Sequence, residues 1–268
     1  MNLSFPQYDE VRLYIVDLRV DASDYLRLRN SLSTDETHRA DRFLIEDVRR
    51  RFVVCRGVLR EILAGMTDSQ AGKIRFRYEQ WGKPQLASAA QPPRVPVEQV
   101  ALHFNVSHSA DTALIAVATS PVGVDLEVLD ARAPINFRAI ASQVVSPIEE
   151  ASWQVLKASE RDEQLMRLWV CKEALLKAMG LGIAEGLKQV SFPLPITSSQ
   201  RFMPRHIDAA LQLHVDDDGT CSTNSWTDAL TWRMQVLEIA PNTVAATATQ
   251  RGVNKLTQYE IDLPFLLR

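Results

Sequence analysis

The sequence predicts an α+β fold in which helices pack on mostly antiparallel sheets. Two short, strongly apolar runs, Thr112 to Thr119 and Val122 to Leu129, follow each other with only Ser120-Pro121 between them and read as strands. Two long segments of helical period, Asp47 to Leu63 and Arg161 to Met179, stand one in each half. Each half thus holds a strand set and a long helix. That layout suggests a duplicated architecture, although the halves share no strong sequence repeat. A chain of 268 residues with 46% hydrophobic content can bury one large core or two of ordinary size.

The elements follow in order. Val11 to Leu18 alternates apolar and polar residues and reads as a strand. Ser23 to Leu32 is a short amphipathic helix. Ser33, with Glu36 three residues on, forms a capping box for a helix from about Thr34 to Leu44. Phe52, Val53, Leu59, Ile62 and Leu63 form the apolar side of the helix over Asp47 to Leu63. Lys73 to Tyr78 is a strand, and Gln80 to Val100, rich in Pro, Ala and Gln, is a long loop. After the two central strands come a short helix, Phe137 to Val144, and a second one opened by Ser146-Pro147 with proline at its first position. Beyond Gly180 the strands are clearest at Leu211–Val215, Leu230–Ile239 and Val244–Thr249.

Composition excludes several classes. The net charge of −3 gives no global positive field for nucleic acid. No stretch approaches the roughly 20 apolar residues that cross a bilayer. The start of the chain, with Asp9 and Glu10, does not read as a signal peptide, and a cytoplasmic location is expected. Three widely spaced cysteines, Cys55, Cys171 and Cys221, argue against a disulfide framework or a zinc site and read as structural thiols.

The chemistry is carried by carboxylates. Asp125 and Glu127 lie two apart in a strand, so their side chains share a face, while Val124, Leu126 and Val128 point to the other. Alone, this pattern is more often the solvated polar face of a two-sided strand. If buried, the pair repels, and a divalent cation with hard oxygen ligands is the usual compensation. The long helix adds Glu173, with Lys177 at i+4 on an adjacent face. Lys172 falls within the buried stripe of Leu165, Leu168, Leu175, Leu176 and Met179, so it needs a partner or a route to water. A metal beside basic residues would suit a phosphorylated ligand. The bland alternative is a surface ion pair and a snorkelling lysine.

Phe104 to Ser109 (FNVSHS) offers polar groups at the mouth of an apolar strand. Ser107 and His108 are adjacent, so in a strand they point apart and form a poor nucleophile–base dyad; a donor cluster for phosphate reads better, and a structural turn histidine stays open. Arg39, Arg42, Arg49, Arg50, Arg51, Arg56 and Arg60 crowd the N-terminal helices, most of them as solvated surface. Lys83 sits in a constrained turn between Gly82 and Pro84.

Four segments, in order, resemble the 4′-phosphopantetheinyl transferase superfamily of the two-halved, surfactin-synthetase-activating type: Trp81-Gly82-Lys83-Pro84, Phe104 to Ser109, Val122 to Glu127 (VGVDLE), and Trp169 to Lys177 (WVCKEALLK). The resemblance implies two similar α+β halves in a pseudo-two-fold arrangement, residues 1–119 on the coenzyme A adenosine side and 120–268 on the magnesium and carrier-protein side, with the site in the cleft between them. It implies Asp125, Glu127 and Glu173 as ligands of Mg2+ (or Mn2+), Lys177 on the pyrophosphate, Ser107 and His108 on the ribose phosphate with Arg39 and Arg51 assisting, and Lys83 and Pro84 at the adenine. Glu173 is the first choice for the base that takes the proton of the carrier serine. The product would be a holo acyl or peptidyl carrier and adenosine 3′,5′-bisphosphate, made by a monomer that needs neither membrane nor nucleic acid. A metal-dependent phosphotransferase or pyrophosphohydrolase with water as nucleophile is the competing reading, and a non-catalytic binding module a third. Arg161, Arg167, Phe137 and Ile140 are candidates for the carrier-docking surface.

Overall fold

The alternation after Asp9 is realised in a computed structural model as β1 (Glu10–Asp17). The structure describes residues 3–87, 101–129, 137–181, 186–207, 213–215, 221–223 and 231–266. It divides into one unit of Met1–Ser120 with Lys255–Arg268 and another of Pro121–Asn254.

In the first unit β1 is followed by α1 (Ala22–Asn30), α2 (Thr34–Asp41), α3 (Glu46–Thr67), β2 (Phe76–Tyr78), β3 (Pro84–Leu86), β4 (His103–Ser109) and β5 (Thr112–Ala118). Helix α2 ends at Asp41 and not near Leu44, because the chain turns there before α3 begins; Leu44 stands almost fully exposed. Helix α3 is longer than its apolar stripe suggested and ends where Asp68 adopts a left-handed conformation (φ 51°). Val58, Leu59, Ile62 and Leu63 of α3 form one core with Tyr14 and Val16 of β1, Phe104 of β4, and Ile115 and Val117 of β5. The expected strand over Lys73 to Tyr78 is shorter: Ala71–Lys73 is a 3-10 turn closed by the Ile74 amide on Ala71 O, and only Phe76 to Tyr78 pair, with β3. That hairpin takes up the start of the expected loop; 88–100 lie outside the described residues. The segment from Phe104 to Ser109 is itself a strand, antiparallel to β5, and not a turn leading into one.

In the second unit come β6 (Val122–Val128), α4 (Phe137–Val144), α5 (Glu150–Gln154), α6 (Arg161–Met179), β7 (Val190–Ser191), β8 (Arg201–Phe202), β9 (His206–Ile207), β10 (Leu213–Val215), β11 (Cys221–Thr223), β12 (Trp232–Leu237) and β13 (Thr243–Gln250). Ser146-Pro147 does not open a helix directly. A turn closed by Ser146 and Glu149 comes first: the Ser146 amide donates to Glu149 Oε2 (2.8 Å), the Glu149 amide to Ser146 Oγ (3.3 Å), and α5 starts at Glu150. Helix α6 has the expected bounds and ends on Gly180, whose positive φ of 75° closes the last turn. Leu165, Leu168, Leu175 and Leu176 of α6 form this unit's core with Trp232, Met234, Ala246 and Ala248. Of the expected strand Leu211–Val215, residues 211 and 212 lie outside the described residues.

The two sheets share a scheme. In the first, β1 pairs with β5, which pairs with β4; in the second, β6 pairs with β13, which pairs with β12, all antiparallel. Each sheet thus joins its unit's opening strand to a later hairpin, and a long helix contributes to the core on one face. The sequence division at 119/120 leaves out one strand crossing: β14 (Lys255–Glu260) pairs parallel with β1, and α7 (Leu263–Leu266) follows it into the first unit. Thr257 and Lys255 of β14 reach the buried Glu10 (3.0 and 3.1 Å), so local bonds reinforce the backbone pairing.

Candidate active site

The second unit gathers the carboxylates through a close contact between helix and strand. A Cβ built on Gly123 would lie 1.9 Å from Ala174 O and 2.5 Å from Ala178 N, so only glycine lets α6 lie this tightly on β6. Gly123, Asp125 and Glu127 alternate onto one face of β6, and Gly123 marks that face as the one against α6. Val122, Val124 and Leu126 on the other face are fully buried, and on the carboxylate face Asp125 is buried while Glu127 is half-buried. Asp125 is 2% exposed and Glu173 7%.

Lys177 Nζ bridges them, 2.5 Å from Asp125 Oδ1 and 3.3 Å from Glu173 Oε2. The Lys177 ammonium does not offset the burial and mutual repulsion of the carboxylates. Burial pushes the Glu173 carboxyl up; the charge of Asp125 adds to this, Lys177 opposes it, Glu127 adds again, and the group comes to about 7. Excess buried negative charge with all-oxygen donors fits a hard divalent cation. Among the described residues, no three His, Cys, Asp or Glu side chains are arranged as a ligand cage. The cationic position between Asp125 and Glu173 is held by Lys177, so the donor types fit a metal and the ammonium lies where charge is needed.

Lys172, the lysine of the apolar stripe, does not reach water. It is fully buried and pairs with Glu149 Oε2 at 2.7 Å. Glu149 lies 23 residues earlier, at the expected start of a helix, and nothing local in the sequence pairs it with Lys172. Its only local signal is the spacing Ser146-x-x-Glu149.

The first unit holds the other expected contacts. Along β4, Phe104 and Val106 face the core while His103, Asn105 and Ser107 take the opposite face. Ser107 is buried and His108, on the Phe104 side, is exposed, so the two point apart. Arg51 Nε donates to Asp111 Oδ1 (2.9 Å), in the turn just beyond His108. Arg39 is exposed, its guanidinium 5.1 Å from the Phe52 ring centre. Lys83 and Pro84 belong to the β2–β3 hairpin, where Gly82 takes a φ of 80° and the Glu79 amide donates to Lys83 O (3.0 Å). Burial pushes the Lys83 ammonium down to about 8 against the pull of Glu79. Burial, with Lys83 adding to it, holds His103 down at about 4. His103 was missed in the sequence; it precedes the FNVSHS segment and only the fold sets it near Lys83. Of the docking candidates, Arg167 is committed internally, to Ile196 O (2.6 Å), Glu163 and Ser198, and Arg161 donates to Gln154 O. Ile140 packs against the second core, and the side chain of Phe137 lies outside the described residues.

Cys55 and Cys171 are free and buried, and burial pushes both thiols up, Cys55 to about 12, which suits inert structural groups. No helix among the described residues is long and apolar enough to cross a membrane.

Comparison with known proteins bears on the family. Residues 121–230 match the 4′-phosphopantetheinyl transferase superfamily model. Residues 19–120 match a model described as 4′-phosphopantetheinyl transferase, N-terminal. The chain is 36% identical over 211 residues to the 4′-phosphopantetheinyl transferase HetI of Nostoc sp., covering 78% of this chain and 85% of that protein. It is 30% identical over 207 residues to a putative 4′-phosphopantetheinyl transferase of Synechocystis sp. (75% and 79%). To the 4′-phosphopantetheinyl transferase Sfp of Bacillus subtilis it is 27% identical over 171 residues (63% and 69%). These matches show that the chain belongs to the 4′-phosphopantetheinyl transferase superfamily.

Proposed function

We propose that the protein transfers the 4′-phosphopantetheine arm of coenzyme A to a serine of an apo acyl or peptidyl carrier protein. The observation that carries this is the pair of buried carboxylates, Asp125 and Glu173, bridged by the half-buried Lys177 and held together by the contact of α6 with β6. Asp125, Glu127 and Glu173 are the residues to hold Mg2+, or Mn2+ in its place. Such a cation, when bound, supplies charge neutralisation on the pyrophosphate oxygens.

The chain's own groups do the rest. The carrier serine Oγ forms a bond to the β-phosphorus as the bond from that phosphorus to the bridging oxygen breaks, and adenosine 3′,5′-bisphosphate leaves. Lys177 donates to the pyrophosphate oxygens that gain charge. Glu173, on a rigid helix beside the reacting group, accepts the serine proton. Lys83 and Pro84 line the adenine; Ser107 and His108, assisted by Arg39 and Arg51, hold the ribose phosphate. The protein acts as a monomer, in the cytoplasm.

Mass spectrometry of apo-carrier incubated with coenzyme A, Mg2+ and the protein tests the reading. The carrier should gain one phosphopantetheine on its serine, only with the metal supplied. Consumption of coenzyme A without carrier, and no change in carrier mass, would favour hydrolysis by water instead.

A further inference from the structure

Lys172 and Glu149 form a buried pair that the transfer chemistry does not use. All three protons of the ammonium are engaged: Nζ donates to Val144 O (2.6 Å), Leu187 O (2.7 Å) and Glu149 Oε2 (2.7 Å). The carboxylate also accepts the Ser146 amide on Oε2 and the Phe192 amide on Oε1, at 2.8 and 2.7 Å. Both side chains are wholly inaccessible. The pair therefore fastens α6 at residue 172 to the end of α4, to the turn before α5 and to the segment leading through β7.

Its placement on α6 gives it a role. At 100° per residue, Lys172 and Ala174 are about 200° apart, on nearly opposite sides of the helix. Ala174 O is the atom that meets Gly123 of β6. The helix is thus held by a backbone contact on one side and by a saturated ammonium on the other. Glu173 projects between the two. Rotation of α6 by ten degrees would move a carboxylate at a radius of about 6 Å through about 1 Å. A displacement of that size costs about 10²-fold in rate when the group must be aimed.

We infer that Lys172 and Glu149 are positioning residues: they fix the rotation of α6 about its axis and so aim Glu173 at the position shared by Asp125 and Lys177. This rests on the role proposed above for Glu173. A purely stabilising role is the alternative, and it is a poor use of a buried ion pair, since a neutral pair of similar volume commonly gives equal stability.

The first unit supplies an internal control. Arg60 of α3 is buried in the same manner, its Nε donating to Glu36 Oε2 (2.6 Å) and Nη1 to Ala71 O and Ile74 O. Glu36, like Glu149, accepts the amide of the serine three residues before it. No proposed metal ligand lies on α3.

The experiment compares Lys172→Met/Glu149→Gln, Arg60→Met/Glu36→Gln and Glu173→Ala. It measures kcat, KM for coenzyme A, the affinity for Mg2+ alone by calorimetry, and the melting temperature. The first double variant should stay folded, lose about 10²-fold in kcat and about 10-fold in Mg2+ affinity, and keep KM within about threefold. The control pair should hold kcat and Mg2+ affinity within about threefold, whatever its melting temperature. Glu173→Ala should lose both. If Glu173→Ala keeps both, the role of Glu173 is wrong and the inference falls with it. If Glu173→Ala loses both while Lys172→Met/Glu149→Gln keeps them, only the inference is overturned; equal losses in the two double variants overturn it as well. Should the first double variant not fold, the near-isosteric Glu149→Gln decides on the same readouts, with about 10-fold in kcat expected.

Discussion

Two buried glutamates, one in each unit, are pushed in opposite directions. Burial pushes the Glu10 carboxyl of β1 up, but bonds from Arg12, the Gln7 amide, Lys255 and Thr257 outweigh it and bring the group down to about 2. Glu173 of α6 is held up at about 7 by burial and by Asp125, with Lys177 in opposition. The first carboxylate has more donors than it needs and is scaffold. The second has fewer and marks a site. The contrast extends to the opening strands. β1 offers Tyr14 and Val16 to the core it shares with α3, whereas β6 offers Gly123, Asp125 and Glu127 to α6. One sheet scheme thus turns an apolar face of its opening strand to the long helix in one unit and the proposed metal ligands in the other.

The largest test of that contrast is Asp125→Ala. Transfer should fall by at least about 10²-fold at saturating Mg2+, the scale for loss of a main electrostatic group. The melting temperature without metal should not drop, because carboxylate repulsion is relieved and Lys177 keeps Glu173. Near wild-type transfer would remove the distinction between the two strands.

Glu10→Gln probes the scaffold carboxylate. A folded-state value of about 2 against the ordinary 4.5 contributes stability above pH 4.5 that is lost as pH falls toward 2. The wild type should therefore lose about 3 kcal/mol across that window from this group alone. Urea melts between pH 2 and 6 should show a flatter curve for Glu10→Gln. Parallel curves for the two proteins would show that Glu10 is not compensated as described.

Gly123→Ala tests the close contact of α6 on β6. The added methyl meets backbone, so α6 must shift, at a cost of about 1–3 kcal/mol in stability. Transfer should fall further than stability alone explains, since Glu173 and Lys177 move with the helix; full kcat in a folded variant would free the site from this contact. Smaller effects belong to the first unit. Dephospho-coenzyme A should bind the wild type more weakly than coenzyme A, and His108→Ala should narrow the gap; equal binding of the two by the wild type would take the ribose phosphate away from His108. The smallest is Arg161→Glu, which should raise KM for the carrier and not for coenzyme A, more so at low salt, as rim charges do. Equal effects on both substrates would move the docking surface elsewhere.

What the sequence made legible was local. Helix α6 was readable to its end because its stripe is continuous and Gly180 terminates it, and the carboxylates of β6 were readable because strand period puts Asp125 and Glu127 on one face. What it hid depends on distant partners. Lys172 was visibly out of place in its stripe, but its counter-charge sits on another element. Gly123 stood inside a quoted motif, yet its reason is a helix backbone some fifty residues later. β14 carries only weak alternation, and its partner is β1, at the far end of the chain.

That last pairing sets the order in which the molecule can be completed. During synthesis the opening strand emerges first but must wait for Lys255 to Glu260 before its outer edge is paired. Every residue of the second unit leaves the ribosome in the interval. At about 5–20 residues per second the wait lasts on the order of ten seconds. The part that carries the carboxylates can therefore close before the part that begins the chain, and a nascent protein arrested near residue 254 would display β1 as an open edge to chaperones or to another chain.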